Sequence, residues 1–99
     1  MIARHWRGLV KRDRADAYIE HLQSDTLPQL VQLAGFQDAK VLRRDLPQGV
    51  EFLVVTIWNS LDAIRAFAGD DVETAVVPPK ARDMMIEYDH KSRHYEVVD

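Results

Sequence analysis

Four aromatic side chains in this sequence have the types and spacing to form a pocket for a flat molecule. Trp6 lies in an alternating run near the N-terminus and Trp58 ends an apolar run, so both rings can stand on one face of a sheet. Tyr18 and Phe67 fall on the apolar stripes of two amphipathic segments. Packed between sheet and helices, these rings predict a pocket for an aromatic ligand. The same rings could equally fill a solid core, and both interpretations stay open at this point.

Two further residues have the types needed for proton transfer and charge stabilisation. His94 lies in an extended run near the C-terminus and is the candidate general base. Arg4, among apolar neighbours on the first strand, is the candidate partner of a developing oxyanion. The alternative for His94 is structural, with its ring bonded to a carboxylate or placed at a subunit interface. His21, on the first helix, is expected at the surface.

Several other kinds of site are not expected. The chain has no cysteine, which removes disulfides, thiolate nucleophiles and cysteine-ligated metals. His90 and His94 are separated by about 13 Å on a strand that rises ~3.3 Å per residue, so we expect no shared metal. There is no glycine-rich phosphate loop and no Gly-x-Ser-x-Gly motif. We therefore predict neither a metal nor a cofactor.

Length and composition are typical of one small globular domain over residues 1–99. Hydrophobic residues make up 46% and charged residues 29%, which is ordinary for a soluble protein. The net charge of -3 and the pI near 5.7 argue against a nucleic-acid partner. No apolar run approaches the roughly 20 residues that cross a bilayer. A strand pattern begins at once in place of a signal peptide, so we expect a soluble cytoplasmic protein with no membrane partner.

The first half of the chain predicts a strand, a helix and a second strand. Residues 2–10 alternate as a strand, in which Gly8 allows either the close approach of a neighbour or a bulge. Apolar residues over 15–22 recur at helical spacing, with Asp13 as the expected N-cap. Pro28 is expected to end or kink this helix. Residues 36–45 read as a second, more polar strand near a sheet edge.

The second half predicts a hairpin, a capped helix and a last strand. A turn at 46–49 leads into a buried strand over 52–58. Ser60 is the expected N-cap of a helix over 61–68, and Gly69 is its expected stop. The remaining predicted elements are a weak helical turn within 72–77, a short helix after Pro79 and a strand over 89–98.

The order strand, helix, strand, strand, helix, strand is typical of the ferredoxin-like α+β fold, a four-stranded antiparallel sheet with helices on one face. Leu53, Val55 and Ile57 then lie on the face away from the helices. An apolar face of that size needs a cover, and a second copy of the same sheet is the simplest one. We therefore expect a homodimer whose two sheets meet.

The sequence also resembles the antibiotic biosynthesis monooxygenase family through residues 2–8, 52–60, 63–69, 75–79 and 94–97. The resemblance implies a dimeric α/β barrel and, as one activity, cofactor-independent oxygenation of aromatic or quinol-type molecules. In that chemistry a base removes a proton, and the resulting carbanion passes an electron to oxygen. The alternative is a dimeric protein that binds a small molecule, or acts in a stress response, without turnover.

Heme degradation, another activity of that family, is less well matched. The heme-degrading members carry a tryptophan at the end of the third strand, an asparagine on the first strand and a heme-ligating histidine after the second helix. By the resemblance, this sequence keeps only the tryptophan, as Trp58, and has Trp6 and about Val77 at the other two positions. Two of the three groups are therefore missing.

Overall fold

Helices cover one face of an antiparallel sheet in the computed structural model, which describes residues 1–99. The strands are β1 (Ile2–Val10), β2 (Phe36–Leu46), β3 (Gly49–Trp58), β4 (Met85–Tyr88) and β5 (Arg93–Glu96). The helices are α1 (Ala15–His21), α2 (Leu27–Leu30), α3 (Leu61–Ala68) and α4 (Pro79–Arg82). A 3₁₀ turn at Arg12–Arg14 precedes α1, and a π-helical turn at Leu22–Thr26 joins α1 to α2.

The sheet has the order β2-β3-β1-β4, with all neighbours antiparallel. β1 and β3 pair along their length, from Ile2 opposite Trp58 to Val10 opposite Val50. β2 and β3 form the predicted hairpin, and β2 is the edge strand that its polar sequence indicated. The ferredoxin-like α+β fold is thus confirmed.

The last strand differs from its prediction because it is interrupted. The sequence predicted one strand over 89–98, whereas β4 pairs with the end of β1 and β5 pairs with its beginning. Between them the chain leaves β1 and bonds to the loop that precedes α4. Ala75 N–H donates to His90 O at 3.0 Å, and Ser92 N–H donates to Glu73 O at 2.7 Å. This detour uses backbone groups, so the side-chain pattern carried no sign of it.

The caps of α3 follow the prediction, whereas the start of α1 does not. The Ser60 hydroxyl accepts from Ala63 N–H at 3.2 Å, and Gly69 ends the helix with a φ of +88°. The expected Asp13 N-cap is wrong, since α1 follows directly on the 3₁₀ turn without a side-chain cap. Pro28 does not end the helical segment, but the regular α-helix is interrupted by the π-helical turn that lies just before it.

The segment before α4 also differs from its prediction. In place of a helical turn over 72–77, a single tight turn closes with Thr74 N–H donating to Asp71 O at 3.1 Å. The chain is irregular from there to the short helix that begins at Pro79, as predicted. None of the helices has both the length and the apolar composition needed to cross a membrane.

The core between sheet and helices consists of two clusters. The larger one packs α1 and α4 on the sheet and includes Val10, Tyr18, Phe52, Met84 and Met85. The smaller one packs α2 and α3 on the opposite end of β3 and consists of Leu30, Trp58 and Ile64. Residues from both clusters line the cavity described next.

Candidate ligand site

A cavity lies between the sheet and the helices, at the junction of the two core clusters. The cavity has a volume of about 60 Å³, enough for roughly four waters. Its aromatic walls are Trp6, Tyr18 and Phe67. Its polar side chains are Arg4, His21, Thr26, Thr56 and Ser92. Rings combined with a few polar groups are typical of sites for small molecules.

Two of the rings are held by their surroundings. The Trp6 indole N–H donates to Asp89 O at 2.9 Å, and its ring centroid lies 6.5 Å from that of Tyr18. The ring lies against Gly8, where an added Cβ would come within 2.5 Å of the indole, so the close approach expected at this glycine is present. Burial raises the pKa of Tyr18 well above its usual value, which keeps its phenol neutral.

The fourth expected ring, Trp58, does not line the cavity. It is completely buried in the smaller core cluster, with its centroid 6.1 Å from Phe67 and 5.3 Å from Phe36. Its indole N–H donates to the Thr56 hydroxyl at 2.8 Å. It shares a sheet face with Trp6, as expected, but α3 covers it at that end of β3. Trp58 thus supports two of the wall residues from behind.

Arg4 is a buried cation in the cavity wall. Its side chain is 4% exposed, and its guanidinium donates to Val72 O, to Thr74 O at 2.9 Å and to His94 Nε2 at 2.9 Å. None of these partners is a carboxylate, and burial lowers the pKa of Arg4 to about 10. Its Cζ also lies 5.7 Å from the Phe67 ring centroid. Arg4 therefore joins the loop after α3 to β1 and brings a positive charge to the cavity.

His94 contacts Arg4 and is not among the cavity-lining residues. Because a guanidinium can only donate, His94 Nε2 accepts, and the proton of the neutral ring is assigned to Nδ1. Burial, and then the charge of Arg4, lower the pKa of His94, which favours this neutral form. The structure thus brings the two expected catalytic residues together, with the lone pair of His94 Nε2 directed at the arginine.

Of the polar cavity residues, only Arg4 was found from the sequence, and His21 and Ser92 are two of those that were missed. His21 was expected at the surface, which is wrong, because it is 3% exposed and lines the cavity. Its position three residues after Tyr18 places it on the apolar stripe of α1, and this spacing was the signal that could have identified it. Ser92 is 2% exposed, and its hydroxyl has no hydrogen-bond partner. Ser92 lies in the loop between β4 and β5, where no pattern indicates burial.

The fold and the cavity together define a ferredoxin-like α+β protein with room for a small ligand between its two layers. The family model for antibiotic biosynthesis monooxygenase matches residues 1–76, which run from β1 to the loop beyond α3. The chain therefore belongs to the antibiotic biosynthesis monooxygenase family. No curated protein matches the chain.

Two solved structures share this fold. A candidate antibiotic biosynthesis monooxygenase from Nitrosomonas europaea is 17% identical, with a TM-score of 0.75 and full coverage of both chains. Another, from Bacillus cereus, is 20% identical, with a TM-score of 0.68 and coverage of 100% of this chain and 93% of its own. At these identities the similarity establishes the architecture, and the chemistry has to be argued from the residues of this chain.

Proposed function

We propose that this protein is a cofactor-independent monooxygenase-like enzyme that oxidises a small aromatic or quinol-type molecule with molecular oxygen. The main support is the wall of the cavity, which three aromatic rings share with a buried arginine that has no carboxylate partner. Membership of the monooxygenase family supports the same reaction class.

In the proposed reaction the rings of Trp6, Tyr18 and Phe67 hold the substrate by its faces. An O–H or acidic C–H bond of the substrate breaks, its proton passes to a base, and the electron pair stays on the substrate. The charge of Arg4 stabilises this anion, and a buried charge acts more strongly than one in water. The electron-rich anion then gives an electron to oxygen, which is the co-substrate and oxidant.

His94 enters this proposal through Arg4. The hydrogen bond from the guanidinium to His94 Nε2 fixes one of its N–H groups, and the carbonyls of Val72 and Thr74 fix others. His94 is therefore proposed to position the arginine, in place of the direct proton transfer that the sequence indicated. A fixed donor needs no reorganisation when charge develops on the substrate.

Oxygen uptake with a panel of phenols and hydroquinones tests this function. The wild-type protein should consume oxygen saturably with at least one compound, and Arg4→Gln should lower kcat/KM by at least ~10²-fold, as expected for losing an oxyanion donor. Arg82→Gln, which removes an exposed arginine outside the cavity, is the matched control and should match the wild type. Oxygen uptake that is unaffected by Arg4→Gln would contradict the proposed role of the arginine.

A second candidate is a binding protein without turnover. It is favoured by one observation, that the Nε2 lone pair of the expected base is already engaged by Arg4. The oxygen-uptake experiment distinguishes the two candidates. A binding protein should bind a phenol saturably, while its rate of oxygen uptake stays at the background. Heme handling is not proposed, since the positions that by the resemblance would hold the asparagine and the heme-ligating histidine carry Trp6 and about Val77.

We further propose that two copies of the chain pair through the sheet face opposite the helices. Leu53, Val55 and Ile57 of β3 lie on this outer face, beside Leu42 and Tyr95, which are each 50% exposed. At one end, Glu51 lies 2.5 Å from both Arg7 Nε and Arg44 Nε, so the charges there are already paired within the chain. An apolar patch with a polar rim is typical of a subunit interface.

A further inference from the structure

The imidazole of His21 is the most unusual polar group of the cavity. It is 3% exposed, and Nδ1 has no hydrogen-bond partner. The nearest acidic atom is Asp25 Oδ2, at 3.7 Å from Nδ1, which is an ion-pair distance and too long for a hydrogen bond. At the other nitrogen, Thr26 Oγ1 lies 3.3 Å from Nε2, and Thr26 lines the cavity as well.

The π-helical turn at Leu22–Thr26 creates this arrangement. In a regular α-helix, residues four and five positions after His21 would lie on different sides of the helix. The wider π turn brings Asp25 and Thr26 to the same imidazole, one at each nitrogen. Single π turns inside helices occur frequently at functional sites.

His21 is better placed than His94 to accept a proton from a ligand in the cavity. His94 gives its Nε2 lone pair to an arginine and does not line the cavity. His21 lines the cavity, and its Nε2 is met only by a hydroxyl, which can turn or exchange its proton. The Asp25 carboxylate lies at ion-pair distance from Nδ1, on the side of the ring where the carboxylate of a His-Asp pair lies.

We propose that His21 takes the proton from the bound ligand, with Asp25 and Thr26 as its positioning residues; this inference rests on the proposed function. The O–H bond of the ligand breaks, and its proton ends on His21 Nε2, directly or through the Thr26 hydroxyl. The electron pair stays on the ligand oxygen. Nδ1 keeps its own proton, directed at Asp25, so the products are a phenolate and an imidazolium.

The binding of 4-nitrophenol tests this step without any oxidation, because its phenolate absorbs visible light and its phenol does not. In weakly buffered solution, at a pH where the free ligand is protonated, the wild-type protein should bind it as phenolate. A pH indicator should detect no proton release, because the protein keeps the proton. His90→Gln, an exposed histidine outside the cavity, should behave identically.

His21→Gln should bind the neutral phenol, or bind the phenolate and release one proton per ligand. Asp25→Asn, whose side chain is 52% exposed, tests the same step with little risk to folding and should lower the bound phenolate fraction severalfold. Bound phenolate without proton release in His21→Gln, or an unchanged phenolate fraction in Asp25→Asn, would overturn the role of His21 and leave the proposed function in place. A wild-type protein that binds no phenol at all would overturn the proposed function itself.

Discussion

At the scale of single residues, the main feature is a buried arginine that is bonded to neutral groups. Arg4 offers its N–H groups to two carbonyls and one imidazole, so it keeps a full charge in a region of low dielectric. A buried charge without a counter-ion destabilises the fold unless another group of opposite charge interacts with it. An anionic ligand or transition state in the cavity would supply the missing partner.

The Arg4–His94 contact predicts a pH dependence of stability. The lowered pKa of His94 means that the unfolded chain, in which this histidine has its usual pKa of 6.5, binds the proton first as pH falls. The free energy of unfolding should therefore fall as pH drops below about 6.5, by less than the ~1.4 kcal/mol per pH unit that one proton can give. Urea denaturation from pH 7.5 to 5.5 measures this slope.

His94→Gln supplies the comparison for that slope. Glutamine cannot take up a proton, so the free energy of unfolding of the variant should depend less on pH between 6.5 and 5.5 than that of the wild type. At pH 7.5 the two proteins should differ less, in proportion, in this free energy than in their pH slopes. If the wild type and His94→Gln had equal slopes, the neutral imidazole assigned here would be contradicted.

At the scale of elements, the detour of the chain between β4 and β5 shapes the cavity. Asp89 still bonds to β1 through its N–H and accepts the indole N–H of Trp6 at its carbonyl, after which residues 90–92 leave β1 and bring Ser92 to the wall. The same detour bonds to the loop that Arg4 holds. In an uninterrupted strand, as the sequence predicted, residues 90–92 would pair with β1 and would not bond to this loop.

The orientation of the Trp6 ring depends on Gly8, which lies in the same strand, β1. In Gly8→Ala the new Cβ would lie 2.5 Å from the indole and 3.1 Å from Met85 Sδ, so the ring must move. We expect a loss of about 1–3 kcal/mol of unfolding free energy, typical of overpacking, together with a shift in tryptophan fluorescence. Chemical denaturation followed by fluorescence and by circular dichroism measures both effects.

The same substitution in a Trp6→Phe background provides the control. The smaller ring leaves space beside Gly8, so the loss due to Gly8→Ala should be reduced in this double-mutant cycle. An equal loss in both backgrounds would mean that the indole is not what Gly8 accommodates.

At the scale of the whole molecule, the outer sheet face predicts the assembly state. Val55→Lys places a charge in the middle of this face, where pairing of two copies would bury it without a partner. The wild type should sediment at twice the 11.4 kDa chain mass, and Val55→Lys should sediment as a monomer. Val31→Lys, at a 65% exposed valine after α2, should remain dimeric. A monomeric wild type at micromolar concentration would contradict the proposed pairing.

Much of the architecture was accessible from the sequence because it depends on side-chain periodicity and caps. The buried strand β3, the Ser60 cap of α3 and the β2–β3 hairpin all have such local signals. The π-helical turn and the detour between β4 and β5 depend on backbone hydrogen bonds between segments, which leave no periodic trace. For this reason the burial of Ser92 was not predicted, whereas the burial of His21 had a signal in its spacing from Tyr18 that was missed.

The candidate site was accessible only as a set of residue types. The sequence could group Trp6, Tyr18 and Phe67 on facing surfaces, because the strand and helix periods determine which way each side chain points. The sequence could not show that Trp58 lies behind the cavity wall and not in it. That position depends on where α3 ends over β3. Likewise, the Arg4–His94 contact joins residues 90 positions apart, which only the fold brings together.

The most direct test of the cavity as the ligand site is fluorescence titration of two single-tryptophan variants with hydroquinone. Trp58→Phe keeps only Trp6, in the cavity wall, and Trp6→Phe keeps only Trp58, in the core. A ligand in the cavity should give saturable quenching in the wild type and in Trp58→Phe, with a much smaller change in Trp6→Phe. Saturable quenching that is carried by Trp58 alone, or no saturation in any of the three proteins, would contradict binding in the cavity.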